Sequence, residues 1–198
     1  MDQTIYLASR SPRRVELLKQ IGVNCEVIPA DIDESAFRNE LPIDYVLRLA
    51  REKALACQQL LGVSCLNIQI LAADTTVALG DAILGKPLND ADAFTMLKSL
   101  SGCKHAVHTA IAVAFNDEIE VALSSTVVEM MPLTDAMIND YIAVGEHKDK
   151  AGGYGIQGLA GAWIKHIEGS YSGVMGLPVF ETALLLNKFV LNKLAKEI

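Results

Sequence analysis

The chain alternates apolar segments of strand length with segments whose apolar residues have helical spacing. The clearest strand is ILAADTTVAL, residues 70–79, in which one aspartate has apolar or small neighbours on both sides. A strand that is apolar on both faces is typical of a sheet covered by helices. Residues 42–61 and 90–100 show the spacing of amphipathic helices. This alternation predicts an α/β fold with a largely covered sheet.

The same patterns predict the remaining elements. Strands are expected at 4–9, 25–32, 105–115 and 119–130, with a hairpin turn at Gly80 and Asp81. Helices are expected from Pro12 to Gly22 with Ser11 as N-cap, from Thr134 to about Gly145, and over 179–193. Two glycine-dense segments, KAGGYGIQGLAG and GSYSGVMGLP, precede the last helix. Such density indicates backbone conformations that other residues disfavour, or a backbone that a ligand approaches closely.

Length and charge limit the class of protein. The 198 residues are 51% hydrophobic and carry a formal net charge of −7, which predicts one globular domain over residues 1–198. An acidic protein of this kind is not expected to bind nucleic acid, because such binding needs a basic surface. A local cluster of arginines within an acidic chain indicates a small anionic ligand instead.

Several patterns bear on the cellular location. The first residues, MDQTIYLASR, lack the features of a secretory signal, and no apolar segment reaches the roughly 18 to 20 residues that a membrane span needs. The four cysteines are scattered and form no CxxC pair. We therefore expect a cytoplasmic protein with reduced cysteines and no membrane partner.

The arginine cluster in LASRSPRR lies where a helix is predicted to begin. Arg13 and Arg14 then occupy the first helical turn, where free N–H groups and the helix dipole already favour negative charge. A phosphate bound there would reverse this unfavourable electrostatic arrangement. The alternative is that these arginines are solvated and paired with carboxylates elsewhere.

Asp74 is the second unusual residue, because a lone carboxylate is costly to bury. It must be paired, bound to a metal, or placed where the sheet opens. In an open site it can act as a base for a hydrolytic water or hold a divalent cation beside phosphates. The structural alternative is an aspartate at a strand end that caps the following turn.

Three further charged residues complete the candidate set. Lys53 rises from the apolar face of the helix at 42–61, where it either serves a site or extends past small neighbours to solvent. Lys86 and Glu34 lie in predicted loops and look like surface residues unless those loops fold over a site. The four histidines form no ligand pattern and are interpreted as structural.

Six ordered motifs resemble those of the Maf family of nucleoside triphosphate pyrophosphatases. They run from about Leu7 to Glu181 and comprise LASRSPRRVELLKQIG, RLAREKA, LAADTTVALGDAILGKP, LSG, DKAGGYGIQG and GSYSGVMGLP. The resemblance implies an elongated α/β fold on a mixed sheet, with flanking helices and two lobes around a cleft, related to inosine triphosphate pyrophosphatases. It also implies hydrolysis of a nucleoside triphosphate to a monophosphate and pyrophosphate with a divalent metal, Mg²⁺ or Mn²⁺, and a possible homodimer.

Site roles follow from the resemblance, position by position. Asp74 would be the catalytic acidic residue that activates water, and Glu34 would join it, so that both are also candidate metal ligands. Lys53 and Lys86 would stabilise phosphate charge. The phosphate-binding end would be formed by Ser9, Arg13 and Arg14.

The resemblance is to the branch that acts on dTTP and UTP. Arg13, Thr75 after the catalytic aspartate, and Gln157 in GIQG match that branch rather than the 7-methyl-GTP branch. A glutamine amide offers the donor and the acceptor that the edge of uracil or thymine requires. Arg10 departs from the small residue typical of the family and receives no role. A nucleotide-binding regulator of cell division is the alternative function.

Overall fold

The computed structural model describes the backbone of residues 4–196 and the side chains of residues 4–189. Seven strands form one mixed sheet in the order β2-β1-β3-β5-β6-β7, with β4 paired to β3. The strands are β1 (Ile5–Leu7), β2 (Cys25–Val27), β3 (Ile70–Leu79), β4 (Ala82–Leu84), β5 (Lys104–Phe115), β6 (Glu118–Met130) and β7 (Ile164–Glu168). Strand β1 is parallel to β2 and β3, and all other pairings are antiparallel. The predicted α/β class is confirmed.

Six α-helices flank this sheet. They are α1 (Pro12–Gln20), α2 (Pro42–Leu61), α3 (Asp90–Leu100), α4 (Asp135–Val144), α5 (Tyr171–Met175) and α6 (Val179–Lys196). Short 3₁₀ segments lie at Gly62–Cys65, Ala151–Gly153 and Leu159–Trp163. None of the helices within the described backbone is long and apolar enough to span a bilayer.

Most predicted elements are present, and the differences have physical reasons. Helix α2 has the predicted bounds. The predicted second strand is wrong beyond Val27, where the chain leaves the sheet just before Pro29, which has no N–H to donate to a ladder. Strand β7 and helix α5 were not predicted, because both lie among glycines that indicate loops.

The long strands connect two packed regions. Strand β5 alone has 12 residues, a length of about 40 Å. One core, which includes Leu97, Ile138 and Trp163, packs α3 and α4 against one end of the long strands. Toward the other end, α1 and α6 cover one face of the sheet around Leu18 and Phe189, and α2 covers the opposite face with small residues. The elongated, two-lobed form that was expected is thus built on shared strands.

The edge of β3 that faces away from β5 is paired only at its two ends. Strand β1 pairs with Ile70 and Leu71, and β4 pairs with residues 77–79. Among the described residues no strand covers the edge between them. Asp74 lies at the centre of this gap, in the middle of the strand and not at its end. The sheet therefore opens beside Asp74 because two short strands leave a space between them.

Candidate active site

A cavity of about 1070 Å³ opens at the uncovered edge of β3. It lies between the two packed regions, since Ala8 from one and Val107 and Tyr154 from the other both line it. All nine of the site residues that the sequence singled out line this cavity: Ser9, Arg13, Arg14, Glu34, Lys53, Asp74, Thr75, Lys86 and Gln157. Residues far apart in the chain are thus brought to one place.

One side of the cavity is formed by Glu34, Lys53, Asp74 and Lys86, which we call the ion-pair wall. Helix α2 presents Lys53 toward β3, and the residue is only 9% exposed. Its Nζ lies 2.6 Å from Oδ1 of Asp74 and 2.7 Å from Oε1 of Glu34. The alternative that Lys53 extends to solvent is wrong. One ammonium group therefore holds two carboxylates together, which offsets part of the cost of burying them.

The buried position of Asp74 alters its acidity. Burial raises the pKa of this carboxyl group, while the Lys53 ammonium opposes the rise. The other oxygen, Oδ2, has no hydrogen-bond partner among the described residues. A carboxylate with a raised pKa and a free oxygen is suited to accept a proton from a bound water.

The outer part of the ion-pair wall is more open. Glu34 comes from the loop between β2 and α2, and its side chain is 44% exposed. Lys86 follows β4, is mostly exposed, and has its Nζ 3.7 Å from Oε2 of Glu34. Partial burial acts to raise the pKa of Glu34, but the hydrogen bond and charge of Lys53, together with nearby cations, hold this pKa below its usual value. Glu34 thus links the buried lysine to the exposed one.

A second part of the cavity lining consists of Ser9, Arg13, Arg14 and Lys150, which we call the basic wall. Arg14 donates from Nε to the carbonyl of Gly176 over 2.8 Å and from Nη1 to Oγ of Ser9 over 2.9 Å. Its Nη2 lies 3.4 Å from Oγ1 of Thr75. Because adjacent residues of a strand point to opposite faces, Asp74 meets α2 while Thr75 meets Arg14. Arg14 therefore ties the start of α1 to β3.

The predicted cap of α1 is only partly correct. Ser11 occupies the N-cap position but its side chain makes no capping hydrogen bond. Instead, Oγ of Ser9 accepts from the backbone N–H of Ser11 over 3.1 Å. Ser9 is 7% exposed and serves both this N–H and Arg14.

Within the described residues, the hydrogen bonds of Arg13 and Lys150 go to backbone carbonyls. Nε of Arg13 lies 3.4 Å from the carbonyl of Met175, and Nζ of Lys150 donates to the carbonyl of Glu146. Burial lowers the pKa of Lys150, and the nearby Arg13 charge adds to this effect. A Cβ added to Gly155 would lie 2.7 Å from Cε of Lys150, so the lysine stem packs directly on the glycine backbone. Two close cations that form no ion pair within the described part of the chain indicate a place for an anion.

Gln157 and Arg10 are exposed residues that line the same cavity. Gln157 is exposed and lines the cavity, and its amide has no hydrogen-bond partner among the described residues. Arg10 is largely exposed and forms a two-point contact with the carboxylate of Asp31, over 2.9 and 3.1 Å. Arg10 therefore has its own carboxylate partner, although it lines the same cavity as Arg13 and Arg14.

A family model described as Maf-like protein matches residues 4–189. The chain belongs to the Maf-like protein family. The resemblance drawn from the six motifs is confirmed, over the same part of the chain.

Relatives of this Maf-like protein carry consistent names. A dTTP/UTP pyrophosphatase of Methylobacillus flagellatus is 61% identical over 92% of this chain and 90% of that protein. A dTTP/UTP pyrophosphatase of Chromobacterium violaceum is 52% identical over 95% of this chain and 96% of that protein. A nucleoside triphosphate pyrophosphatase of Haemophilus ducreyi is 46% identical over 95% and 96%.

A solved structure, that of the Staphylococcus aureus Ham1 protein, covers 65% of this chain and 72% of that chain. It is 16% identical, with a TM-score of 0.43. At this TM-score the similarity does not establish a common fold.

One residue of the Maf-like site was missed by sequence reasoning. Lys150 is the first residue of the glycine-dense segment, and only the glycines of that segment were interpreted. The available signal was a cation directly before a segment whose backbone can approach a ligand closely.

The donor groups of the Maf-like site fit a magnesium or manganese ion that also binds substrate. The ion-pair wall offers two carboxylates, Glu34 and Asp74, whose oxygens both contact one Nζ and so lie close together. Within the described part of the chain, no three His, Cys, Asp or Glu side chains converge on a point. Mg²⁺ commonly takes one or two carboxylates and completes its shell with phosphates and water. The site therefore suits a metal that arrives with a nucleotide.

Proposed function

We propose that this Maf-like protein hydrolyses dTTP and UTP to the nucleoside monophosphate and pyrophosphate. The observation that carries the proposal is the buried Lys53 ammonium, which joins Asp74 and Glu34 in a cavity that the basic wall also lines. A proton acceptor and groups that can bind phosphates thus share one cavity, which supports the proposal. The names of relatives at 46% to 61% identity support the same substrates.

Asp74 is the base in this proposal. Its free Oδ2 takes a proton from water as the water oxygen bonds to the α-phosphorus. The bond from that phosphorus to the oxygen bridging to the β-phosphorus breaks, and pyrophosphate leaves with the electron pair. The raised pKa of Asp74 makes it a stronger proton acceptor than an exposed aspartate.

The cations divide the work of holding charge. Lys53 and Lys86 stabilise the charge that develops at the reacting phosphate, because they lie beside Asp74 and Glu34. The basic wall holds the remaining phosphates through Arg13 and Lys150. Arg14 is bound to three protein groups, so it mainly fixes Ser9 and Thr75.

Glu34 and Asp74 are the residues that would hold the divalent metal. A Mg²⁺ or Mn²⁺ ion bound there would neutralise phosphate charge. The role of Lys53 is then to keep the two carboxylates close without a metal, since their mutual repulsion would otherwise separate them.

The test is pyrophosphate release from purified protein with Mg²⁺ across a panel of nucleoside triphosphates. We expect turnover of dTTP and UTP above that of purine triphosphates. Nucleotide binding without pyrophosphate release would instead support the alternative function, a nucleotide-binding regulator of cell division. Preference for 7-methyl-GTP would place the chain in the other branch.

Gln157 is proposed to contact the base, because its exposed amide lines the cavity without a hydrogen-bond partner among the described residues. Replacement by glutamate removes the donor and keeps the size. Gln157→Glu should therefore lower kcat/KM for UTP more than for other triphosphates. Equal losses for all bases would exclude a role for Gln157 in base recognition.

A further inference from the structure

The loop that carries Glu34 has no regular structure of its own. Between the end of β2 at Val27 and the start of α2 at Pro42, the described chain forms neither helix nor strand. Such a segment is free to move unless side chains fix it. Yet Glu34 must keep its carboxylate 2.7 Å from Nζ of Lys53. Something other than backbone pairing must therefore hold this loop in place.

Arg48 of α2 contacts the loop at three points. Its Nε and Nη2 donate to both oxygens of Glu40, over 2.6 and 2.7 Å. Nη2 also lies 3.1 Å from the carbonyl oxygen of Ser35. The guanidinium stacks on the ring of Phe37, with its carbon 4.0 Å from the ring centroid. These contacts span the segment from Ser35 to Glu40, directly after Glu34.

The contact between Arg48 and Glu40 is well shielded from water. The Arg48 side chain is 16% exposed and that of Glu40 is 7% exposed. A two-point guanidinium–carboxylate contact in such surroundings is stronger and more directional than a surface ion pair. The bonds to Arg48 also lower the pKa of Glu40, so the pair stays charged at neutral pH.

Tyr45, one turn before Arg48 on α2, acts on Glu34 directly. Its hydroxyl donates to the backbone carbonyl of Glu34 over 2.9 Å. Burial and the neighbouring carboxylates raise the pKa of Tyr45 to about 12, so this hydroxyl keeps its proton. The backbone of Glu34 is thus fixed by Tyr45, and the residues that follow it are fixed by Arg48.

We propose that Arg48 is a positioning residue that holds the Glu34 loop closed over the site. The proposal rests on the proposed function, in which Glu34 is a metal ligand and the ion-pair partner of Lys53. Among the described residues that line the cavity, Glu34 and Tyr45 are present and Arg48 is not. Arg48 acts on the reaction only through the loop, and Lys53 loses one of its two carboxylates when the loop moves.

The kinetic test uses Arg48→Lys, which keeps the charge but cannot make the two-point contact. We expect kcat for UTP to fall about tenfold, as expected when a catalytic group is misplaced, with little change in KM. Arg51→Lys is the matched control, because Arg51 lies on the same helix and is exposed. It should leave both constants unchanged. Unaltered kcat in Arg48→Lys would overturn the proposal.

A double-mutant cycle separates positioning from a general effect on the fold. In a Glu34→Gln background, Arg48→Lys should lower kcat much less than it does in the unaltered protein, because the two changes act on one group. An equal loss in both backgrounds would overturn the proposal. Should Arg48→Lys not fold, Tyr45→Phe removes one hydroxyl bond to Glu34 and must show the same dependence on Glu34.

Hydrogen exchange tests the loop without activity. The amides of Ser35, Phe37 and Glu40 are each hydrogen-bonded within the loop. Arg48→Lys should increase exchange at these amides, whereas Arg51→Lys should not. If the unaltered protein releases no pyrophosphate, the proposed function fails and this measurement alone decides whether Arg48 fixes the loop. Unchanged exchange would then overturn it.

Discussion

The ion-pair wall and the basic wall both contain cations, but they differ in what those cations contact. On the ion-pair wall, Lys53 lies within hydrogen-bond distance of two carboxylates. On the basic wall, Arg13 and Lys150 donate to backbone carbonyls and form no ion pair among the described residues. The first wall is electrostatically satisfied before a ligand binds, and the second is not.

This difference indicates a division of roles. A paired wall can hold reactive groups in fixed positions and tune the pKa of Asp74, because its charges are already compensated. The basic wall gains more from an incoming anion, because Arg13 and Lys150 have no ion pair with a described residue that the anion would have to break. We therefore expect changes on the ion-pair wall to act on kcat and changes on the basic wall to act on KM.

The largest effect is expected from Asp74→Asn, which keeps the size and removes the base. We expect kcat to fall about 10³-fold, within the range for loss of a general base, while KM changes little. Pyrophosphate release at saturating UTP measures this, with equilibrium nucleotide binding as the control for folding. A large change in KM alone would place Asp74 with the basic wall.

The dependence of kcat on pH, on its acid side, should show which wall carries the group that must be ionised. Asp74 must be ionised to accept a proton, and its pKa is raised from the ordinary 3.8, chiefly by burial. Activity is therefore lost as the pH falls through this raised value, about tenfold per pH unit below it. KM should stay nearly constant over this range, because the basic wall and not Asp74 holds most of the phosphates in this proposal. An acid limb at the ordinary value for an aspartate would contradict the role given to burial.

Lys150→Gln should raise KM for UTP about tenfold, the effect of losing one charge-assisted hydrogen bond, and leave kcat nearly unchanged. The exposed Lys148 provides the control, and Lys148→Gln should leave both kcat and KM unchanged.

Because the pKa of Lys150 is lowered, KM of the unaltered protein should begin to rise at a lower pH than it would with an ordinary lysine. Lys150→Arg should remove that alkaline rise. An unchanged KM in Lys150→Gln would remove this residue from the basic wall.

The smallest effect is expected from Gly155→Ala. The new methyl group would lie 2.7 Å from Cε of Lys150 and must displace the end of that flexible side chain. We expect KM to rise about threefold with little loss of stability, since only a side-chain end has to move. In a Lys150→Gln background the substitution should have no further effect on KM. A further rise in KM in that background would mean that Gly155 acts on something other than Lys150.

Much of the fold could be predicted from the chain alone. Helix α2 and the hairpin at residues 80–81 were predicted correctly, because long amphipathic spacing and turn chemistry are local signals. Strand β7 and helix α5 were not, because each has five residues and depends on tertiary contacts. Strand β7 exists through its pairing with β6, which no local pattern displays.

The candidate site shows the same division. The sequence by itself determined which residue types are out of place in a helix start and in an apolar strand, and so it marked Arg13, Arg14 and Asp74. It could not determine that Lys53 joins Asp74 to Glu34, or that Arg48 holds the Glu34 loop. Those contacts connect residues that are distant in the chain or lie in a segment without periodicity. Only the packing of α2 against the open edge of β3 decided them, because the cost of burying a charge depends on what the fold places beside it.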